Sequence, residues 1–515
     1  MTSTIAWRAA AGLGVGVPAA ASAWHVLRRA APPTWDEAAY LSASCWLWDH
    51  LASGRLWAFC RQFAHASEFK APLVSLLPLP AYLLAGKGLA PALCANVAAW
   101  ALAGWCAWRL GRRFAGEAGG AWAAGCVALL PLGYGLSRHF YAEPLLTAIV
   151  LGTLEVLLAG GRPVALGLLL GLGMLAKVSF PLYVAVPMAL LWRRERGARE
   201  WALAAAIGGL AACTWYALHG ASALSFARSA GFGRTAAEYS SGEGLGAAAR
   251  YAWLLARQCA SLPMMFLAAA SLTELARTGR LARWRAWDPG AWAVAGAAAL
   301  PLIVAASSVN REPRFALPAL AAAAVGTGVL CAKAWTATGR RGTAVAALAA
   351  AAALGIFFEQ TTGRRLLGTG RAEAFVWNGP PLLEGAWGQE RVLALVAREA
   401  ATLQRRITVA IGIESPSFNP ATAEYFAAVH DWPLTVASYR RPRDAAGALA
   451  AVEASRAEFV VAAEDWPPGD LPAFLNGPMG ETRETLASGA LGFRPWLRAK
   501  LLNGATAVVF RRSPP

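Results

Sequence analysis

A stretch near the amino terminus, Thr34 to Leu73, combines acids and a lysine with apolar sequence on both sides. Asp36 and Glu37 directly follow one apolar segment, and Lys70 directly precedes another. Tryptophans and leucines recur between them at roughly helical spacing, a pattern typical of amphipathic helices in a membrane interface. A carboxylate held beside lipid can accept the proton of an attacking hydroxyl, which is the general-base role. We therefore expect chemistry at a membrane surface; the alternative is a solvated loop whose charges only end the neighbouring spans.

Charged side chains at the ends of later apolar segments are candidates for binding an anion. Cations can hold an anionic leaving group such as a phosphate, because negative charge develops on it in the transition state. Arg138 and Arg314 suit this role, since arginine contacts phosphate in a bidentate manner, and Lys70 is the third candidate. Snorkelling at a span end explains Lys70 or Arg314, taken alone, about equally well. Three supporting candidates are His139, Glu143 and Lys177. The histidine alone is also explained as a hydrogen-bonded loop residue, and the second lysine as the cap of a short hairpin.

The composition indicates a polytopic helical membrane protein. Of the 515 residues, 57% are hydrophobic and 15% are charged, whereas soluble proteins carry roughly a quarter charged residues. The apolar residues fall in blocks, and a block of about 20 residues can cross a bilayer. The net charge of +17 does not indicate nucleic-acid binding, because the basic residues form short clusters between apolar blocks. The eight cysteines lack metal-finger spacing, and we expect Cys45 and Cys60 to stay unpaired.

The apolar blocks predict about eleven spans, the first near residues 9–27 and the last near 342–358. Residues 1–27 resemble a signal peptide, but we expect a retained span because the membrane pattern continues. Segment 71–86 is apolar, short and broken by prolines, so we predict an interfacial or partly buried helix there. With a cytoplasmic amino terminus, tight arginine clusters such as 109–113 lie inside, as the positive-inside rule requires. The candidate residues then share the extracytoplasmic side of the cytoplasmic (inner) membrane.

The composition changes near residue 360. This predicts a transmembrane domain over 1–359, with an outer loop at 28–89, and an extracytoplasmic domain over 360–515. Alternating patterns in the second part predict a small α/β domain. Its predicted elements are helices 389–406, 419–432 and 442–455 and strands 407–412, 434–438, 457–463 and 505–512. Because this domain lacks a Gly-rich phosphate loop, we expect it to have a structural or acceptor-recognising role.

Five short motifs carry a resemblance to the GT-C superfamily of membrane glycosyltransferases. WDEAAYL at 35–41 resembles its D-E-x-x-Y signature. FKAPL at 69–73 resembles the end of the same loop in lipid A aminoarabinose transferases and protein O-mannosyltransferases. SRHFYAE at 137–143, GLGMLAK at 171–177 and RFALP at 314–318 resemble later motifs, in the same order. The resemblance covers about residues 1–335.

The resemblance implies a GT-C-like fold and an inverting sugar transfer from a polyprenyl-phosphate-linked donor. The acceptor would be a hydroxyl on a lipid, a glycan or a protein. By resemblance, Asp36 is the base or orients the acceptor, and Glu37 supports it or binds a cation. The resemblance assigns the donor phosphate to Lys70, Arg138 and Arg314.

Some positions depart from the family pattern. Ala71 stands where the first proline of the loop motif is usual, and Glu143 replaces an aspartate in the third motif. Some relatives hold a divalent metal, and His65 and Glu68 are weak candidate ligands here. Metal dependence is therefore open.

Other functions remain as alternatives. A transporter or flippase of lipid-linked sugars would have charged or broken helices at the bilayer midplane and internal repeats. The charges here lie mainly at span ends, and no repeat is visible. An assembly scaffold would leave Asp36 without a task. A ligase or polymerase of surface glycans is the nearest alternative among enzymes.

Overall fold

The computed structural model describes residues 2–160, 162–192, 197–233, 236–237, 244–280, 288–338, 340–364, 388–416, 418–439, 444–466 and 478–513. The chain divides into two compact units. The helical unit comprises Met1–Leu27, Leu56–Ala81 and Ala90–Pro381. The sheet unit comprises Arg28–Arg55, Tyr82–Leu89 and Leu382–Pro515.

The described helices, numbered in chain order, are α1 (Thr2–Leu27), α2 (Trp35–Ala52), α3 (Leu56–His65), α4 (Leu79–Ala85), α5 (Leu89–Ala128), α6 (Pro131–Ser137), α7 (Glu143–Leu158), α8 (Pro163–Ala176), α9 (Phe180–Leu191), α10 (Ala198–Phe232), α11 (Gly244–Leu254), α12 (Leu262–Arg277), α13 (Pro289–Ser307), α14 (Leu317–Thr338), α15 (Arg340–Thr362), α16 (Gln389–Thr402), α17 (Pro420–Val429), α18 (Ala445–Ala454) and α19 (Met479–Ala487). The described strands are β1 (Ile407–Ile411), β2 (Leu434–Ser438), β3 (Phe459–Glu464), β4 (Phe493–Lys500) and β5 (Thr506–Arg512).

The helical unit has the long apolar helices of a multi-pass membrane protein. Within the described ranges, seven helical stretches are long and apolar enough to cross a bilayer: Thr4–Leu27, Leu89–Ala128, Ala198–Phe232, Gly244–Arg277, Pro289–Ser307, Pro313–Ala334 and Ala344–Thr362. Shorter apolar helices accompany them, among them α8 and α9, which lie on either side of Lys177 in the chain. The predicted interfacial segment 71–86 contains a 3₁₀ turn, Leu73–Leu76, and the seven-residue helix α4, which is too short to cross a bilayer.

Helix α5 consists of two helical arms joined by a sharp reversal. Ala115 and Gly116 have non-helical backbone angles, and Gly116 has a φ of +64°, which glycine adopts without steric cost. The two arms pack backbone to backbone. A Cβ added to Gly111 would lie 2.3 Å from the carbonyl oxygen of Gly119. Small residues therefore allow this hairpin to close tightly.

Helix α14 lies at the centre of the helical unit. In its most apolar 18-residue segment, 78% of the residues are buried, compared with 22–44% in the equivalent segments of the other long apolar stretches. Alanines and glycines allow neighbours to approach its backbone, since a Cβ at Gly328 would lie 2.4 Å from the backbone nitrogen of Ala123. Such close packing holds α14 against the second arm of α5.

The sheet unit contains a mixed five-stranded sheet of order β2-β1-β3-β5-β4. Strands β1, β2 and β3 are parallel, while β5 runs antiparallel to β3 and to β4. Helices α17 and α18 connect the parallel strands, and the predicted α/β domain is confirmed. Helix α17 begins as expected, because the Asn419 side chain accepts a hydrogen bond from the backbone N–H of Thr422.

Helix α2 packs within the sheet unit, against α17. The sequence pattern groups residues 28–89 with the membrane domain, whereas the packing groups 28–55 and 82–89 with the carboxy-terminal strands. The predicted boundary near residue 360 itself stays a prediction, and residues 365–387 beyond it lie outside the described residues.

Candidate functional site

The two acids at the start of α2 have different surroundings. Glu37 is fully buried, and its two carboxylate oxygens each accept a 3.2 Å hydrogen bond from the guanidinium of Arg29. The backbone N–H and the hydroxyl of Thr34 donate to the same carboxylate at 2.9 and 2.8 Å. Asp36 is only half-buried. Glu37 therefore suits a positioning role, and Asp36 is the more accessible acid.

Local sequence explains why α2 begins here. Thr34 has extended backbone angles (φ −87°, ψ 167°), as an N-cap residue should, and Glu37 reaches back to its N–H. Pro33 favours an extended backbone in the residue before it. Arg29 also donates to the carbonyl of Pro32, at 3.1 Å. The entry into the helix that carries Asp36 is thus held by several hydrogen bonds.

Three of the predicted residues in the helical unit meet around Phe315. The Lys177 ammonium nitrogen is 2.5 Å from a carboxylate oxygen of Glu143 and 4.3 Å from the centroid of the Phe315 ring. The guanidinium carbon of Arg314 lies 5.2 Å from the same ring and 4.9 Å from the Tyr141 ring. We call Tyr141, Glu143, Lys177, Arg314 and Phe315 the Phe315 cluster. It carries two cations and one carboxylate.

Helix ends position the members of the Phe315 cluster. Glu143 is the first residue of α7, and Lys177 lies between α8 and α9. The 3₁₀ turn Pro313–Ala316 carries the arginine and the phenylalanine immediately before α14. The Tyr183 hydroxyl, on α9, donates to the Phe315 carbonyl at 2.6 Å. Four separate helices thus fix the cluster.

The five members of the Phe315 cluster carry two positive charges and one negative charge. The Glu143 side chain is 2% exposed and the Lys177 side chain 23% exposed, so the pair opens to solvent on its cationic side. Cation–π contacts contribute roughly 0.5–2 kcal/mol each, more where water is excluded. These contacts orient both cations of the cluster, and the Glu143 carboxylate balances the charge of Lys177.

Arg138 is fully buried in a different part of the helical unit. Its guanidinium donates to the Ser22 hydroxyl at 3.3 Å and to the Thr361 hydroxyl at 2.5 Å. It also lies 4.9 Å from the Tyr134 ring and 5.4 Å from the Phe357 ring. These contacts join α1, α6 and α15. The burial and partners of Arg138 fit a residue that holds helices together.

The turn between α6 and α7 is held from a neighbouring helix. The Asn96 side-chain amide donates to the carbonyl oxygens of His139, at 2.5 Å, and of Leu136, at 3.3 Å. The His139 ring lies 6.2 Å from the Tyr141 ring. His139 thus precedes the Phe315 cluster in sequence and helps to shape the turn that leads into it.

Lys70 is half-buried on the loop after α3. Its backbone N–H donates to the Ser67 hydroxyl at 3.0 Å, and its ammonium nitrogen lies 5.9 Å from the Phe69 ring. Phe69 in turn packs on Phe226 of α10, with ring centroids 4.6 Å apart. Trp215, also on α10, donates to the Ser67 carbonyl at 3.1 Å. Helix α10 therefore fixes the loop that presents Lys70.

The weak metal candidates do not form a ligand set. His65 and Glu68 are exposed, and the His65 ring packs against His219 with centroids 5.6 Å apart. Across the described ranges, no three His, Cys, Asp or Glu residues are grouped so that they could hold a metal ion. His65 and Glu68 alone do not make up a metal centre.

The structure thus brings together some of the predicted residues. Glu143, Lys177 and Arg314 share the Phe315 cluster, whereas Arg138 has other partners and Asp36 and Glu37 belong to the sheet unit. Arg29, Tyr141 and Phe315 were not predicted from the sequence as site residues. Both aromatic residues lie inside the quoted motifs, Phe315 directly after Arg314 and Tyr141 two residues before Glu143, and this proximity was the available signal.

Solved structures with the same architecture identify the fold. ArnT from Cupriavidus metallidurans in the apo state matches with a TM-score of 0.61 and 14% identity, over 96% of this chain and 97% of that chain. An oligosaccharyltransferase from Archaeoglobus fulgidus matches with a TM-score of 0.54 and 11% identity, over 92% and 72%. The arabinofuranosyltransferase AftD from Mycobacteria matches with a TM-score of 0.53 and 12% identity, over 97% and 40%. The chain has a GT-C-like fold.

Recognition of the GT-C-like fold rests on structure, because the identity to these solved structures is only 11–14%. No protein-family model and no curated protein matches the sequence. The matches to ArnT and to the oligosaccharyltransferase extend through the sheet unit, since they cover more than nine-tenths of the chain. The GT-C-like fold implied by the five short motifs is confirmed.

Proposed function

We propose that this chain is an inverting glycosyltransferase that moves a sugar from a polyprenyl-phosphate-linked donor to a hydroxyl acceptor. The observation that carries the proposal is the Phe315 cluster, in which Lys177 and Arg314 flank one aromatic side chain at the ends of membrane helices. The fold supports it, since ArnT from Cupriavidus metallidurans is also described bound to undecaprenyl phosphate.

We assign the donor phosphate to the cations of the helical unit. Arg314 is half-buried and held by two aromatic rings, and Lys70 is half-buried on a loop fixed by α10. Arg138 shares the predicted phosphate role, but its complete burial favours an indirect contribution through the turn that leads to Tyr141. Positive charge at these positions stabilises the phosphate as it takes up negative charge in the transition state.

We assign the general-base role to Asp36. The acceptor hydroxyl oxygen attacks the anomeric carbon from the face opposite the phosphate, so that the configuration inverts. The new glycosidic bond forms as the carbon–oxygen bond to phosphate breaks, and the polyprenyl phosphate leaves with the bonding electron pair. Asp36 takes the proton of the hydroxyl. A phosphate leaving group needs little protonation, so one acid suffices.

The charge distribution of the loops supports a location for the reaction. By the positive-inside rule, we assign the amino terminus to the cytoplasm and the candidate residues to the extracytoplasmic face of the cytoplasmic membrane. The acceptor is then a hydroxyl of a lipid, a glycan or a protein in the cell envelope. A transporter or flippase of the same lipid-linked sugars is the alternative.

The test is sugar transfer from a polyprenyl-phosphate-linked donor by the full chain in liposomes. Asp36→Asn should insert and bind donor normally but lose at least about 10² in transfer rate. Arg314→Ala should weaken donor binding, while Arg228→Ala, at an exposed position on α10, should not. Wild-type transfer by Asp36→Asn would show that another acid is the base. Movement of the lipid-linked sugar across the bilayer without a new glycosidic bond would favour the transporter.

A further inference from the structure

Lys87 joins three segments of the sheet unit at one point. Its ammonium nitrogen lies 2.8 Å from a carboxylate oxygen of Asp49 on α2 and 2.7 Å from one of Asp431, directly beyond α17. It also donates to the carbonyl of Ala428, at 3.1 Å. The Lys87 side chain is only 11% exposed. All three ammonium protons therefore have acceptors within the sheet unit.

The backbone conformation on both sides of this contact brings Lys87 and its partners together. Gly86 ends α4 with a φ of +77°, a left-handed conformation that glycine adopts readily, and the next residue is Lys87. Asp431 has a φ of +55°, which is uncommon outside glycine but tolerated by aspartate. The Ala428 carbonyl lies in the last turn of α17, where carbonyl oxygens lack helical partners and a cation is favourable.

The segment 82–89 contacts α2 at a second point. Tyr82 is buried, and its ring lies 6.2 Å from that of Trp48 in an edge-to-face arrangement. Helix α2 is thus held along its carboxy-terminal half by Tyr82 and Lys87, while α17 packs along it. At its other end, the Arg29–Glu37 pair fixes the first turn.

We propose that Lys87 is a positioning residue for the transfer reaction: by joining α2 to the end of α17, it sets the axis of α2 and hence the position of Asp36. The inference rests on the proposed function of Asp36. A helix transmits displacement along its length, and Asp36 and Asp49 lie about 20 Å apart along α2. A carboxylate displaced by 1 Å can lose as much as about 10² in rate. The carboxy-terminal part of the sheet unit then contributes to catalysis by positioning α2.

The test compares three lysine variants of the full chain in liposomes. Lys87→Met removes the charge at similar side-chain length, Lys87→Arg keeps it, and Lys500→Met removes an exposed lysine elsewhere in the sheet unit. Transfer kinetics give kcat and the donor KM, and hydrogen exchange of peptides within residues 35–52 reports on α2. For Lys87→Met we expect kcat to fall by about tenfold or more. The donor KM should stay near the wild-type value, and exchange of α2 should be faster.

The conservative variant and the control complete the comparison. Lys87→Arg should recover most of kcat, and Lys500→Met should behave as wild type. Faster exchange with unchanged kcat would overturn the proposal, because the contact would then only stabilise the unit. Unchanged exchange would overturn it directly. If Lys87→Met does not fold, Asp431→Asn removes one of the two anions and should show the same effects to a smaller degree.

Failure of the two proposals can be told apart. If the wild-type chain transfers no sugar, the proposed function fails. The exchange of α2 in Lys87→Met still decides whether Lys87 holds the helix. If the wild-type protein transfers sugar and the Lys87 variants transfer it equally well, only the positioning role of Lys87 is wrong.

Discussion

Arg29 and Glu37 form a bidentate ion pair at the first turn of α2, with two N–O distances of 3.2 Å and both side chains almost fully buried. Glu37, one member of the pair, directly follows Asp36 in the chain. The oxygens of Glu37 already accept hydrogen bonds from Arg29 and Thr34, which suits Glu37 to a positioning role. An acid occupied in this way is a poor proton acceptor for a substrate.

Glu37→Gln should therefore act on stability. The change leaves the Arg29 charge buried without its carboxylate, and breaking a buried ion pair from one side costs about 3–5 kcal/mol. Thermal unfolding in detergent measures the loss. Glu458→Gln is the matched control, because it removes an exposed ion pair with Arg405 and should cost about 1 kcal/mol or less. A Glu37→Gln protein as stable as wild type, yet inactive, would make Glu37 the catalytic acid.

The Glu143–Lys177 pair can be separated into structural and functional parts. Lys177→Met leaves the carboxylate of Glu143, which is 2% exposed, without its ion partner and should destabilise the protein by about 3 kcal/mol or more. The double variant with Glu143→Gln removes both charges and should regain most of that stability. Sugar transfer should stay low in the double variant, because a cation of the Phe315 cluster is still missing. Full recovery of transfer would mean that the pair is only structural.

Because the two arms of α5 pack tightly, replacing a glycine should reduce stability much more at some positions than at others. Gly111→Ala places a Cβ 2.3 Å from the Gly119 carbonyl oxygen, so the two arms must separate, at a cost of about 1–3 kcal/mol or more. Gly125→Ala is the control on the same helix, since no other atom lies within 4 Å of the added Cβ. Alanine there should be neutral or stabilising. Equal melting temperatures for the two variants would contradict the observed packing.

Patterns in sequence predicted most elements of the sheet unit. Asn419 and Pro420 marked the start of α17, and apolar runs marked β1, β2, β3 and β5. Strand β4 and helix α19 were not predicted. Strand β4 is a sheet edge that carries Pro495 and alternating basic residues, features that keep edges from aggregating but hide the usual apolar signal.

The sequence motifs predicted which residues form the candidate site better than they predicted which of these residues contact one another. The motifs supplied Glu143, Lys177 and Arg314, but the ion pair between the first two joins residues 34 positions apart. The same holds for Lys87, whose partner Asp431 is 344 positions away. Such contacts depend on how helices pack, which periodicity within one segment does not encode. A sequence motif singled out Arg138, but nothing in the sequence indicated that this arginine is completely buried.

The two cysteines on the outer loop should differ in reactivity. Burial raises the pKa of the Cys45 thiol to about 12, the nearby Lys87 charge lowering it only in part, so the thiolate is scarce near neutral pH. Cys60 is exposed on α3, and both cysteines are free. A membrane-impermeant maleimide added at pH 7.5 should label Cys60 and leave Cys45 unlabelled until the protein unfolds. The Cys60→Ser variant identifies the label, and labelling from the cytoplasmic side alone would contradict the proposed orientation.

The pH dependence of stability gives a separate test of the Lys87 contact. Burial lowers the pKa of Lys87, but hydrogen bonds and charges from Asp431 and Asp49 outweigh it and raise the pKa above the ordinary lysine value. A group whose pKa is higher in the folded state stabilises that state fully below its unfolded pKa and loses the effect as pH rises through the folded value. The difference in unfolding free energy between wild type and Lys87→Met should therefore stay constant from about pH 7 to 9 and shrink above roughly pH 10.4. Chemical denaturation of both proteins across this range measures it. A difference that falls between pH 7 and 9 would show that the ammonium of Lys87 is not the stabilising charge, and the Lys500→Met protein should follow wild type throughout.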